Sequence, residues 1–215
     1  MRELNERIRK LVMPDRMKHL PLNSAGFPVP YFVPYYDGEP EFRGFDPDKM
    51  RTCVRHQRCW LCGEPLGRFM VFVIGPMCCV NRVSAEPPSH YECAHYAALA
   101  CPFLSQPRMR RNEVDMPQDS RPAAGIMIRR NPGVALLWVT RHYKPFKTDG
   151  GVLFKVGEPH RVEFYAEGRK AKHAEIMASI DSGMPILRQA AADDGPEAIA
   201  DLEKMYTKAL ELVPA

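Results

Sequence analysis

The chain has 215 residues, a formal net charge of +4, and 45% hydrophobic and 26% charged residues, a balance that excludes wholesale disorder and fibrous structure. Such a length buries a core without external staples, so size forces neither metal nor disulfides. No run of about 18 apolar residues marks a membrane helix, and charges recur through MRELNERIRK where a secretory signal needs an apolar stretch, so the expected location is cytoplasmic with no membrane partner.

Leu4, Ile8, Leu11 and Val12 fall on one helical stripe, which predicts a short amphipathic helix over Glu3–Met13, stopped by Pro14 and docked on the body of the protein. From His19 to Asp48 prolines, aromatics and glycines alternate in a way that suits edge strands and turns. Most of those aromatics are expected to pack, with Tyr31, Tyr35 and Tyr36 as candidates for stacking on bases. CWLCGEPLG reads as a tight turn, RFMVFVIG as a buried strand, and PMCCVNRV as a second strand completing a hairpin. Pro87 and Pro88 then precede SHYECAHYAALACPF, a helix that Pro102 ends.

Beyond a basic, proline-containing connector over 105–122, the segments AGIMIRR, GVALLWVTRHY, GVLFKVG and HRVEFYAE predict four strands of an antiparallel meander with turns at NPG, KTDGG and GEP. RKAKHAEIMASIDSG predicts a helix ending at Gly183, a short separate piece begins at Pro185, and PEAIADLEKMYTKALELV predicts another helix from Pro196. The whole reads as an α+β protein in three parts: 1–104 with a zinc module over 59–103, the connector, and 123–215 with a small antiparallel sheet and C-terminal helices. The C-terminal helix pair also suits a homodimer contact.

Six of the seven cysteines lie between Cys59 and Cys101; in a reducing compartment that crowding favours metal ligation over disulfides. Cys59 and Cys62 have the C-x-x-C spacing that aims two thiolates from one turn at a common ion, and Gly63 gives the turn backbone freedom. His90 and Cys93 stand three apart at the start of the predicted helix, where they share one face. Knuckle, hairpin and helix in this order resemble the treble-clef zinc finger over Cys59–Phe103. The resemblance implies Cys59 and Cys62 as knuckle ligands and His90 and Cys93 as helix ligands, a closed set for one structural Zn2+. Cys78 is the rival to His90. Cys79, His95 and Cys101 are expected to be packing or surface residues, and a second metal on Cys53, His56, Cys78 or Cys101, or a cluster of reduced core cysteines without metal, are the other readings. GFPVPYF, CWLCGEPLG, FVIGPMCCVNR, AEPPSHYECA and CPFL also resemble uncharacterised bacterial and phage proteins, a likeness that implies no activity.

Charge sorts along the chain. Between Ser105 and Lys147 nine Arg or Lys face three acids, whereas from Ala174 onward eight acids face three bases. An anionic partner is drawn to the middle, so the expected function is non-enzymatic binding of nucleic acid, with Arg108, Arg110, Arg111, Arg129, Arg130, Arg141 and Lys144 on phosphates. A solvated basic face accounts for the same residues without a ligand. Two alternatives stand beside nucleic-acid binding. One is a phage-type interaction module that docks on a host or defence protein complex, drawn from the aromatic N-terminal third and the acidic C-terminal helices. The other is a metal-dependent nuclease using Asn81, Arg82 or His95, which the hairpin's lack of His, Asp and Glu disfavours.

Overall fold

Asn5 decides how the chain begins. Its side-chain oxygen accepts the Arg7 N–H at 3.0 Å and its amide donates to the Ala25 carbonyl at 2.9 Å, local bonds that compete with a helical backbone. The expected helix over Glu3–Met13 is replaced by a succession of turns. Most of its apolar stripe still docks, with Ile8 fully buried and Leu4 and Leu11 packed around the same cluster, whereas Val12 is exposed to solvent. The computed structural model of the chain describes residues 3–106, 114–116, 124, 131 and 133–215. The expected AGIMIRR strand and most of the basic connector lie outside the described residues.

A 3-10 turn, Asp15–Met17, is followed by two-residue strands β1 (Tyr35–Tyr36) and β2 (Glu39–Pro40), joined through Asp37 and Gly38, both at positive φ. Helix α1 (Pro47–His56) has no counterpart among the expected elements. Its start is nevertheless written locally: Asp46 accepts the Asp48 and Lys49 N–H groups at 2.9 and 3.2 Å, and Pro47 sits where its preset φ suits a helix.

β3 (Met70–Ile74) forms as expected, but its hairpin does not. PMCCVN folds instead as helix α2 (Pro76–Asn81), begun by Pro76 after the extended Gly75, and only β4 (Val83–Ser84) is strand. Pro76 lacks the N–H a paired strand would need, and the helix turns Cys79 and Val80 into the core. α3 (Tyr91–Ala100) and the single turn α4 (Pro102–Ser105) come next.

The strands β5 (Ala135–Thr140), β6 (Tyr143–Thr148), β7 (Gly151–Val156) and β8 (Arg161–Ala166) do not make a simple meander. With β9 (Arg169–Lys170) they divide into two antiparallel sheets, ordered β3-β5-β8-β9 and β4-β7-β6. β6 and β7 pair as a hairpin, as do β8 and β9, while β5 lies between β3 and β8, with Phe72 opposite Trp138 and Trp138 opposite Val162. All six β5 side chains are buried, and a strand so enclosed takes the central place. Burying each large apolar side chain contributes about 1.5–3 kcal/mol. Trp138 also donates its indole N–H to the Gly157 carbonyl at 2.9 Å.

The C-terminal helix runs through both of its expected breakers: α5 spans His173–Asp194 with Pro185 inside, and α6 covers Pro196–Leu210. Gly183 serves close packing, since a Cβ there would stand 2.5 Å from Met77 Sδ on α2. Ile176, Ile180, Met184 and Leu187 keep helical spacing on the buried face, and Pro185 points outward. α2, α5 and α6 cover one face of the β3-β5-β8 sheet through Phe72, Leu136, Trp138 and Phe164, and α3 covers the other through Val71, Leu137, Val139 and Tyr165. A smaller core gathers Ile8, Met17, Cys59, Leu61, Cys62, Cys93 and Tyr96. Among the described residues no helix is long and apolar enough to cross a membrane.

Candidate metal centre

The C-x-x-C segment folds as a knuckle. Cys59 N–H donates to the Glu64 carbonyl at 2.8 Å, Gly63 N–H returns to the Cys59 carbonyl at 2.9 Å, and Gly63 takes φ +79°. Knuckle residues serve two cores: Trp60 enters the main core, stacked on Phe32 at 4.7 Å, while Cys59, Leu61 and Cys62 enter the smaller one. His90 is the N-cap residue of α3 and Cys93 lies in its first turn.

Backbone bonds bring the two pairs together. Val71 and Ser89 exchange N–H···O bonds of 2.9 and 2.7 Å, and Trp60 N–H donates to the Pro88 carbonyl at 3.1 Å. The start of α3 is thus strapped to both β3 and the knuckle. Ligand atoms of Cys59, Cys62, His90 and Cys93 consequently lie within 4.8 Å of one another, and all four residues are buried. A tetrahedral ion with metal–sulfur bonds of about 2.3 Å sets its donors about 3.3–3.8 Å apart. The group can therefore hold a metal ion after a small contraction.

Its electrostatics point the same way. Burial raises a thiol's pKa, yet hydrogen bonds from Cys62, Cys93 and His90 outweigh it at Cys59 and hold that thiolate well below the usual range. Cys93, hydrogen-bonded to Cys59 and Cys62, is driven far up. At His90 burial disfavours the imidazolium, but the contacts with Cys59 and Cys62 prevail and raise its pKa to about 10. Three thiolates in one dry pocket need positive charge, and a divalent ion offsets two of their three charges. Cys59 Sγ already accepts the Cys62 and His90 backbone N–H groups at 3.5 and 3.4 Å.

Neighbours fix the imidazole. Nε2 lies 2.9 Å from the Pro65 carbonyl and Nδ1 3.4 Å from Cys62 Sγ, so Nδ1 is the ring nitrogen turned toward the thiols. The Arg16 guanidinium sits beside that ring, with Nη1 3.0 Å from Nε2 and 3.3 Å from Glu64 Oε2, and Nε 2.7 Å from Glu92 Oε1. Arg16 joins the knuckle to α3 across 48 and 74 residues of sequence, so no local motif signals it.

The other cysteines lie outside this group. Cys78, on α2, packs beside the main core, where burial pushes its thiol up to about 11. Cys79 is raised by burial to about 12 in the same core, and so is Cys53, whose Sγ stands 3.9 Å from the Cys59 carbonyl. His95 stacks on Tyr91 and meets Tyr165 edge-on. Tyr91 and Tyr165 donate to Glu163 at 3.0 and 2.6 Å, Arg161 Nε lies 2.9 Å from it, and Lys170 pairs with it. Of the residues weighed for a nuclease, Asn81 accepts the Val83 N–H at 3.0 Å and Arg82 pairs with Glu158, while His95 is held as above.

Of the expected phosphate contacts, Arg141 and Lys144 are exposed, Arg141 lying over the Phe69 ring at 4.7 Å. Arg108, Arg110, Arg111, Arg129 and Arg130 lie outside the described residues. Comparison with protein-family models, curated proteins and solved structures finds no match to this chain, so the likeness to bacterial and phage proteins gains no support there.

Proposed function

We propose that Cys59, Cys62, His90 and Cys93 hold one structural zinc ion and that the protein acts by binding nucleic acid through a basic surface. Three thiolates and one imidazole are a donor combination of closed, four-ligand zinc sites. With four protein donors no position remains for a reactive water. The ion's part is to hold the knuckle against α3.

The partner reading is carried by unpaired positive charge. Several arginines, among them Arg16, Arg43, Arg82, Arg169 and Arg188, are each engaged by a carboxylate. Arg141, Lys144 and Lys147, in the basic stretch, form no ion pair with any described residue. Cations without a carboxylate partner among the described residues are available to phosphates.

Fluorescence anisotropy with labelled DNA and RNA at several salt concentrations tests the reading. Affinity should fall with salt at a log–log slope of about −0.7 to −0.9 per phosphate contacted. A protein that binds neither nucleic acid with salt-sensitive affinity refutes it.

A further inference from the structure

Strand alternation gives the β4-β7-β6 sheet two unlike faces. Tyr143 on β6 and Phe154 and Val156 on β7 turn inward, where Tyr143 meets Phe72 and Phe154. Lys144 and Phe146 on β6, and Leu153 and Lys155 on β7, turn outward. Lys144 stands directly opposite Lys155, and Phe146 opposite Leu153. Neither lysine has an ion pair among the described residues, and Phe146 is 37% exposed.

Among the described residues β6 is an edge strand, and lysines and proline protect edges from pairing with other chains. Edge protection accounts for Pro145 and Lys147. It does not account for Lys155, which lies on the middle strand, nor for an exposed aromatic ring beside the lysine pair. Like charges set directly across a sheet destabilise it, and an anionic ligand removes that cost.

We propose that this outer face, Lys144, Phe146 and Lys155, with Arg141 two residues before β6 begins, is where a single-stranded nucleic acid binds; the proposal rests on the nucleic-acid reading above. The lysines meet backbone phosphates while Phe146 offers its ring to an unstacked base. Bases inside a duplex are already stacked, so Phe146 adds nothing to duplex binding. A pair of cations beside an exposed aromatic ring fits a backbone running across β6 and β7.

The test uses the full chain carrying its metal, with labelled oligothymidine and oligouridine of about 15 nucleotides and a duplex of the same length. Single strands should bind more tightly than duplex, and Phe146→Ala should weaken single-strand binding about tenfold with no effect on duplex. Lys144→Gln with Lys155→Gln should reduce the magnitude of the salt slope by about 1.4, or about 0.7 per phosphate lost. Equal melting temperature and metal content certify each variant; should Phe146→Ala fail to fold, Lys155→Gln alone, exposed and without an ion pair, carries the test. Wild-type affinity in these variants, or preference for duplex, overturns the assignment of this face while the nucleic-acid reading stands. Absence of binding to all three probes overturns both.

Discussion

His90 Nε2 stands 2.9 Å from the carbonyl oxygen of Pro65, while Nδ1 of the same ring stands 3.4 Å from Cys62 Sγ. The outer contact fixes the ring angle, so the knuckle orients the imidazole that faces its own thiols. Pro65 belongs to the turn that carries Cys59 and Cys62, and Arg16 braces the far side through Glu64 and Glu92. Order at the centre therefore depends on three separated pieces of chain.

Removing a donor should empty the site. Cys93→Ser and His90→Ala are expected to lose the metal and open the module to protease, because structural zinc contributes about 10–16 kcal/mol in small modules, as much as a whole domain's margin of about 5–15 kcal/mol. Cys78→Ser should keep one metal per chain. Elemental analysis of the purified variants reads both outcomes; full metal content in Cys93→Ser contradicts the four-donor set.

Gly63 tests the knuckle without touching a donor. A Cβ at this position would stand 2.7 Å from the Tyr31 ring, on a residue whose φ is +79°. Gly63→Ala should cost about 1–3 kcal/mol, a fall of several degrees in melting temperature. Gly67→Ala is the control, since nothing lies within 4 Å of its Cβ position and its φ is not positive.

The Glu163 cluster predicts a pH signature. Burial raises this carboxyl, but hydrogen bonds from Lys170, Tyr165 and Tyr91 prevail and lower it from 4.5 to about 2. A depressed carboxyl stabilises the fold above its unfolded value and loses that contribution as pH falls toward the folded one. Glu163→Gln should therefore be less stable near neutral pH by on the order of 2 kcal/mol. The gap to the wild type should narrow as pH falls below about 4.5 and close near about 2. Denaturant midpoints across that range report it, and a gap independent of pH would contradict the assignment.

Pro185 sits inside α5 and faces outward. Proline in a helix interior costs about 3 kcal/mol relative to alanine, reduced by about 0.4–1 kcal/mol because it also restricts the unfolded chain. Pro185→Ala should raise stability by about 1–2 kcal/mol. An unchanged or lower melting temperature would show that the proline itself is needed for packing on α2.

Much of the metal group was legible because its halves are local. Cys59 and Cys62 share a turn and His90 and Cys93 share the start of a helix, so a three-residue spacing suffices to pair each. Arg16 was not legible, since its partners lie in distant segments. Asp46 and Pro47 did announce α1, but a short helix in a proline-rich stretch is easily passed over. The N-terminal helix failed because Asn5 bonds its own neighbourhood, and Gly183 misled because a glycine chosen for close approach to Met77 resembles a helix stop.

Sequence alone settled the α+β composition, the two donor pairs and the final helix, since spacing, turn chemistry and periodicity act over a few residues. Tertiary structure decided that the pairs meet, through Val71 with Ser89 and Trp60 with Pro88. It also placed β5 between β3 and β8 and set Lys144 opposite Lys155. Strand partners are chosen by burial and hydrogen-bond satisfaction across distant segments, and no local pattern carries that choice.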